Sequence, residues 1–265
     1  FPAGHNGPYF DNETPVRCTA HFLCLLSKAF KLTGQLQYKE ACDSAIGYLN
    51  SEAARPYGKT YHCRQKQGKD SCNGLVGQAW VIEALVTAAD VFGRDDCYQL
   101  AEEIFFLHPW IDQVSLWNRV DIDGTVLQVD QTFNHQLWFA MAGSMLHKST
   151  NAQLRVKAFL ANIAAHVELY DDGVIFHKSS MQSIVNVWSL GLRGALSKVK
   201  FQFLKRRIKK DQLSKSIGYH GFNLHALAIL KRNLPHENIW NSDLVAKLMK
   251  ACETESFIRQ LNSSV

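Results

Sequence analysis

A chain of 265 residues is long enough for one large domain, and 46% hydrophobic with 20% charged residues is the make-up of a folded globular protein rather than a disordered one. No window of eighteen or more uncharged apolar residues occurs, so a membrane-spanning helix is not expected. Lys and Arg (29) exceed Asp and Glu (24), but seven of the basic residues lie between Lys198 and Lys210, which leaves the remainder near neutral and gives no reason to expect nucleic-acid binding.

After the loop "GHNGPYFDNETP", Pro15 is well placed in the first turn of a helix expected over about Val16 to Thr33, with Gly34 as its stop. A second helix follows from about Tyr38 to Glu52. The same couple recurs at "DSCNGLVGQAWVIEALVTAADVFG" with "DDCYQLAEEIFFLHP", and at "DQTFNHQLWFAMAGSMLHKS" with "NAQLRVKAFLANIAAHVELY". The units begin near Pro15, Asn73 and Gln131, 58 residues apart each time, which is the mark of a repeat architecture. Less regular units follow over Ser179 to Val199 and over Gly218 to Pro235, the second trailed by a helix from about Asp243 to Leu261. Between units, "SLWNRVDIDGTVLQVD" and "LYDDGVIFH" carry Asp-Gly turns and read as short β-hairpins.

The first helix of each couple is apolar nearly all round, as in "GLVGQAWVIEALVTAA", whereas its partner is charged on one face. All-round apolarity means burial on every side. The expected fold is therefore all-α: a single α/α toroid spanning 1–265, complete or lacking part of a six-hairpin barrel, with inner and outer rings of helices. A plain helical solenoid is the competing architecture.

The seven cysteines (Cys18, Cys24, Cys42, Cys63, Cys72, Cys97 and Cys252) are odd in number, and several sit in helical text such as "CTAHFLCLL". They read as buried free thiols, which fits a reduced compartment and a cytoplasmic location better than a disulfide framework. The chain opens at Phe1 without Met or a signal sequence, and it reads as trimmed at both ends.

If the inner helices run in one direction, their polar N-terminal ends meet at one mouth of the barrel. That mouth collects Asp11, Glu13, Arg17, Asn73, Gln78, Asp130, Asn134, His135, His220 and Asn223, with Trp80, Trp138 and Tyr219 beside them. Carboxylates, amides and aromatic faces are what a sugar requires, because hydroxyls want paired polar partners while the C–H faces of the ring stack on aromatics. Helix N-termini add a positive end suited to an anionic group such as a uronate or phosphate.

Asp11, Glu13 and Asp130 are the candidates for acid and base, with His135 beside them. Glycoside cleavage uses two carboxyl groups, about 5 Å apart for retention or roughly 6.5 to 9.5 Å for inversion. The candidate substrate contacts are His62, Arg64, Asn73, Trp80, Asn134, Trp138, Tyr219, His220 and Asn223. Capping alone also accounts for Asn73 and Asp130, and His21 and His225, inside helices, read as ordinary satisfied polar groups. "YHCRQK" places Tyr61, His62 and Arg64 ahead of the second inner helix, a set suited to proton abstraction from a sugar carbon. No zinc spacing, phosphate loop or nucleophile elbow occurs, so neither a metal nor a cofactor is expected.

The runs "GHNGPYFDNETPVRCTAH", "CNGLVGQAWVIEAL", "TFNHQLWFA" and "GYHGFNLHAL" resemble a family of α/α-toroid proteins found with glycosyltransferases in bacterial and archaeal polysaccharide-biosynthesis clusters. More distantly, the chain is similar to six-hairpin glycosidases and N-acylglucosamine epimerases. The resemblance implies a carbohydrate-active enzyme of capsular, exo- or lipopolysaccharide metabolism, glycoside hydrolase-like or a lyase, acting on an oligo- or polysaccharide. The alternatives are a sugar epimerase or isomerase with His62, His135 or His220 carrying the proton, and a non-catalytic glycan-binding or assembly scaffold. The tract Lys198–Lys210 suits peripheral contact with a membrane or protein, although a solvated basic face is the simpler reading.

Overall fold

The computed structural model describes residues 1–6, 10–177 and 209–263. The expected unit over Ser179 to Val199 and most of the basic tract lie outside the described residues. The chain is an α/α toroid whose described inner helices are α1 (Pro15–Thr33), α3 (Gly74–Phe92), α5 (Phe133–Met145) and α7 (Leu213–Asn233), each packed on the next in that order. The outer helices α2 (Leu36–Leu49), α4 (Asp95–Leu107) and α6 (Thr150–His166) each return along their own inner partner.

Local chemistry sets the ends of these helices. Pro15 stands in the first turn of α1, where the missing N–H costs nothing, and the Thr14 hydroxyl accepts the Val16 amide at 3.3 Å. Gly34 ends α1 in the left-handed region at φ 68°, a conformation glycine adopts without penalty. The core is built from the inner ring: Leu75, Ile82, Leu85, Leu137, Phe139 and Met141 are fully buried. Each such side chain contributes about 1.5 to 3 kcal/mol by leaving water.

Among the described residues α3 is the one helix long and apolar enough to cross a membrane by length and composition alone, but it carries Glu83 and Asp90 and in the fold it is packed between α1 and α5.

Short strands fill the loops. β1 (His5–Asn6) pairs antiparallel with β2 (Asp11–Asn12), and β3 (Trp110–Ile111), β4 (Leu116–Val120) and β5 (Val126–Val129) form an antiparallel sheet in that order. The Asp-Gly turns fall as expected, with Gly124 at φ 90° and Gly173 at φ 89°. Gly173 also lies against the Lys247 carbonyl, which an added Cβ would meet at 2.7 Å.

Two expectations are corrected. The helix expected from Gly218 begins at Leu213, and the one expected from Asp243 to Leu261 is two helices, α8 (Asp243–Ala251) and α9 (Glu255–Ser263). The Thr254 hydroxyl accepts the Phe257 amide at 3.2 Å and so caps a second helix just after the first ends.

Two glutamines repeat one device 58 positions apart. The Gln78 amide accepts from the Tyr61 N–H at 2.8 Å and donates to the Tyr61 and Cys72 carbonyls at 3.0 and 2.9 Å. Gln136 accepts from the Trp117 N–H at 3.0 Å and donates to the Trp117 and Asp130 carbonyls at 2.9 and 3.1 Å. Helices α3 and α5 thereby each hold the extended segment that leads into them, together with a fully buried aromatic on that segment, Tyr61 or Trp117.

Candidate active site at the mouth of the toroid

The segments preceding α1, α3 and α5 meet, as the convergence of inner-helix ends requires. Glu13 bridges Arg64 in antiparallel backbone pairing, and the Thr14 amide donates to the Cys63 carbonyl at 3.3 Å. Arg64 donates to Asn73 Oδ1 at 2.9 Å and to Asp70 Oδ1 at 2.8 Å. Arg119, from β4, reaches Asp70 Oδ2 at 2.5 Å.

Asn73 and Gly74 are both left-handed, at φ 59° and 61°, and this turns the first amides of α3 outward. The Gly74 amide donates to Asp70 Oδ1 at 2.8 Å and the Leu75 amide to Asp130 Oδ2 at 3.2 Å. Two carboxylates thus finish the positive end of α3. Burial works against ionisation of Asp70, but Arg64, the Gly74 N–H and Arg119 hold its carboxyl below the usual range.

Asp130 comes from the next repeat. Its Oδ1 accepts the Thr132 amide at 3.1 Å, and its Oδ2 accepts His135 Nδ1 at 2.8 Å as well as Leu75. Burial again opposes ionisation, yet the His135 ring and these amides bring the carboxyl down to about 2. His135 is anchored at Nδ1 and its side chain is 23% exposed. Gly74 makes room for the pair, since a Cβ there would meet Asp130 Oδ2 at 2.5 Å and His135 Nδ1 at 2.7 Å.

Below the mouth the inner helices present a second set of groups. Trp80, Glu83 and Thr87, at i, i+3 and i+7, are the partly buried positions of an otherwise buried face of α3. Arg17 of α1 lies over the Trp80 ring at 5.1 Å, and His21 packs against it at 5.4 Å. On α5, Trp138 follows His135 by three residues and stacks with His225 of α7 at 5.7 Å. Burial pushes the Glu83 carboxyl up, against the pull of Lys28 and Arg232.

Among the expected site residues, Glu13, Arg64, Asn73, Asp130 and His135 share this connected network, with Trp80 and Trp138 leading inward. Glu13 is buried, binds Arg17 through Oε2 at 2.9 Å and leaves Oε1 without a partner among the described residues. Asp11 enters through its backbone, paired with Asn6; its side chain lies outside the described residues. His62 is half-buried, with its carbonyl accepting the Thr14 hydroxyl. Asn134 and Asn223 are buried, and Asn223 Oδ1 has no partner among the described residues.

His220 and Tyr219 stand elsewhere. Because α7 starts at Leu213, both lie about two turns inside it. His220 is fully buried and uses both ring nitrogens on backbone, accepting from the Ile175 N–H at 3.3 Å and meeting the Leu248 carbonyl at 3.0 Å, so it ties α7 to its neighbours instead of facing substrate. Tyr219 stacks on His177 at 4.7 Å. Asn73, expected as a cap, makes no capping bond, and Asp130 caps the preceding repeat's helix through Leu75.

Asp70 and Arg119 carry no motif that marks them in the sequence, and His21 and His225 look there like ordinary helix histidines. Glu83 did leave a signal, as the lone acid in "GLVGQAWVIEALVTAA".

No family model matches the chain. In fold it is similar to a D-mannose isomerase (TM-score 0.54, 15% identity, 97% of this chain and 81% of that one). It is also similar to the cellobiose 2-epimerase of Bacillus thermoamylovorans (TM-score 0.53, 13% identity, 81% of this chain), of which it spans 61%. Both likenesses are of α/α-toroid architecture. In sequence it is 42% identical over 264 residues to the archaeal glycosylation protein Q of Haloferax volcanii, covering 97% of this chain and 71% of that protein. Identity of that level over that span means that the chain belongs to the family of the archaeal glycosylation protein Q.

Proposed function

We propose that the protein is a carbohydrate-active enzyme that moves a proton on a sugar carbon, as an isomerase or epimerase does, with His135 as the proton carrier. The observation that carries this reading is the Asp130–His135 pair: a buried, ionised carboxylate fixes Nδ1 at 2.8 Å, which sets the tautomer and leaves Nε2 for chemistry. Asp130 is then a positioning residue. Trp80 and Trp138 supply faces for sugar rings, and Arg17 and Arg64 supply positive charge for an oxyanion or an acidic substituent. The name of the relative, a glycosylation protein, supports a glycan or glycan precursor as substrate.

Glycoside hydrolase-like cleavage is the second reading, and Glu83 favours it, because a carboxyl that burial pushes up is suited to act as general acid. The two are separated by proton NMR in D2O with uronate-containing and neutral sugars. Exchange of one ring or chain proton without cleavage, abolished in His135→Gln, is the expected result. New reducing-end signals that persist in His135→Gln and vanish in Glu83→Gln overturn the proton-transfer reading in favour of hydrolysis.

A further inference from the structure

A cleft opens on the outer wall of the toroid, away from the mouth. This open depression holds about 670 Å³ between the end of α4, strand β3 and the first half of α6, a size suited to a small ligand. Its apolar walls are Phe106, Trp110 and Leu154, and its polar rim is Asp112, Asn151 and Arg155.

These groups are held in place but only partly satisfied by one another. Trp110 packs edge-on against the buried Trp117 at 4.6 Å and donates its indole N–H to Asp112 Oδ1 at 2.7 Å, which fixes both the ring and the carboxylate. Arg155 lies over the Phe106 ring at 4.9 Å, and its buried Nη1 has no hydrogen-bond partner among the described residues. Arg155 also lines the cleft, and a guanidinium at its rim can donate to a ligand oxygen. Leu154, 58% exposed, leaves the apolar wall open to solvent.

We propose that this cleft is a secondary saccharide-binding site. A flat indole edged by a carboxylate, an amide and a guanidinium matches a sugar ring, with its C–H face on one side and its paired hydroxyls at the rim. A peptide strand would need a row of backbone partners, and two helices and a two-residue strand do not offer one. The inference rests on the reading of the protein as one that acts on glycans. It adds a holding point outside the reaction chamber, so that a long glycan is retained while one of its units is processed.

The test is titration of the 15N-labelled protein with α-1,6-mannotriose and with cellotetraose, following the indole N–H signals. The Trp110 signal is assigned by its loss in Trp110→Phe, and the Trp80 and Trp138 signals are assigned in the same way. The expected result is a saturable shift of the Trp110 signal that survives in His135→Gln, with a Kd at least fivefold weaker in Asn151→Ala, an exposed position whose loss leaves the fold intact. Shifts confined to Trp80 and Trp138 overturn the proposal and leave the reading of the mouth standing. No shift of any indole with either sugar overturns the proposal and counts against the glycan reading too.

Discussion

Asp130 receives His135 Nδ1 at 2.8 Å on the same oxygen that takes the Leu75 amide at 3.2 Å. One carboxylate therefore orients an imidazole in its own repeat and completes the first turn of α3 in the repeat before it. Asp130→Asn keeps the shape and removes the charge that serves both. Asp130 ionises at about 2 in the fold against an ordinary 3.8, so its contribution is fully present above about pH 4 and is lost as the pH falls towards 2. The variant is expected to be roughly 2 kcal/mol less stable at pH 7. The gap should close below pH 4 in urea denaturation followed at several pH values.

Gly74→Ala tests the space beside that pair. The new methyl would meet Asp130 Oδ2 at 2.5 Å and His135 Nδ1 at 2.7 Å, at a backbone φ of 61° that alanine tolerates poorly. Left-handed strain and overpacking each cost about 1 to 3 kcal/mol. A drop in melting temperature is expected together with a loss of turnover larger than the loss of folded protein. Gly34→Ala, with open space around its Cβ, should lower stability alone.

The paired glutamine clamps make a prediction about folding rather than chemistry. Removing Gln78 leaves the Tyr61 amide and carbonyl buried without their partner, and Gln136 does the same for Trp117. Each Gln→Ala change is expected to cost roughly 2 to 4 kcal/mol, since every orphaned buried polar group carries about 1 to 3 kcal/mol. Chemical denaturation measures it, and a loss below 1 kcal/mol at both positions would show that water replaces the clamps.

Histidines lowered by burial shape behaviour in mild acid, His108 and His166 among them. Burial holds His108 and His166 down to about 4, against an ordinary 6.5. Both groups are neutral in the fold near pH 6 while the unfolded chain has begun to bind protons there. Their contribution is thus fully present above pH 6.5 and is lost as the pH falls to 4. Stability should decline over that interval, before the carboxylates titrate, and His108→Gln should flatten the decline in a pH series of melting temperatures.

Much of the architecture was legible in the 58-residue spacing, because the spacing is physical: Gln78 and Gln136 hold equivalent segments, and Trp80 and Trp138 stand at equivalent places on neighbouring inner helices. The convergence of helix ends was legible for the same reason. What escaped were contacts made between repeats. Asp70 and Arg119 lie 49 residues apart and meet only once two loops are folded against each other. The start of α7 was misplaced because Gly218 and Tyr219 look like a helix boundary, whereas tertiary packing of Ser216 and Ile217 carries the helix through them. The His220 contacts follow from that shift.

The cross-repeat cap on Leu75 has a consequence for how the site comes apart. The Leu75 amide is a helix hydrogen whose protection depends on a carboxylate of a different hairpin, the same carboxylate that anchors His135. Its exchange with solvent deuterium therefore reports the docking of two repeats and the integrity of the imidazole anchor in a single number. A sugar seated at His135 would slow that exchange without touching the amide, so occupancy of the chamber is readable from the seam between two repeats.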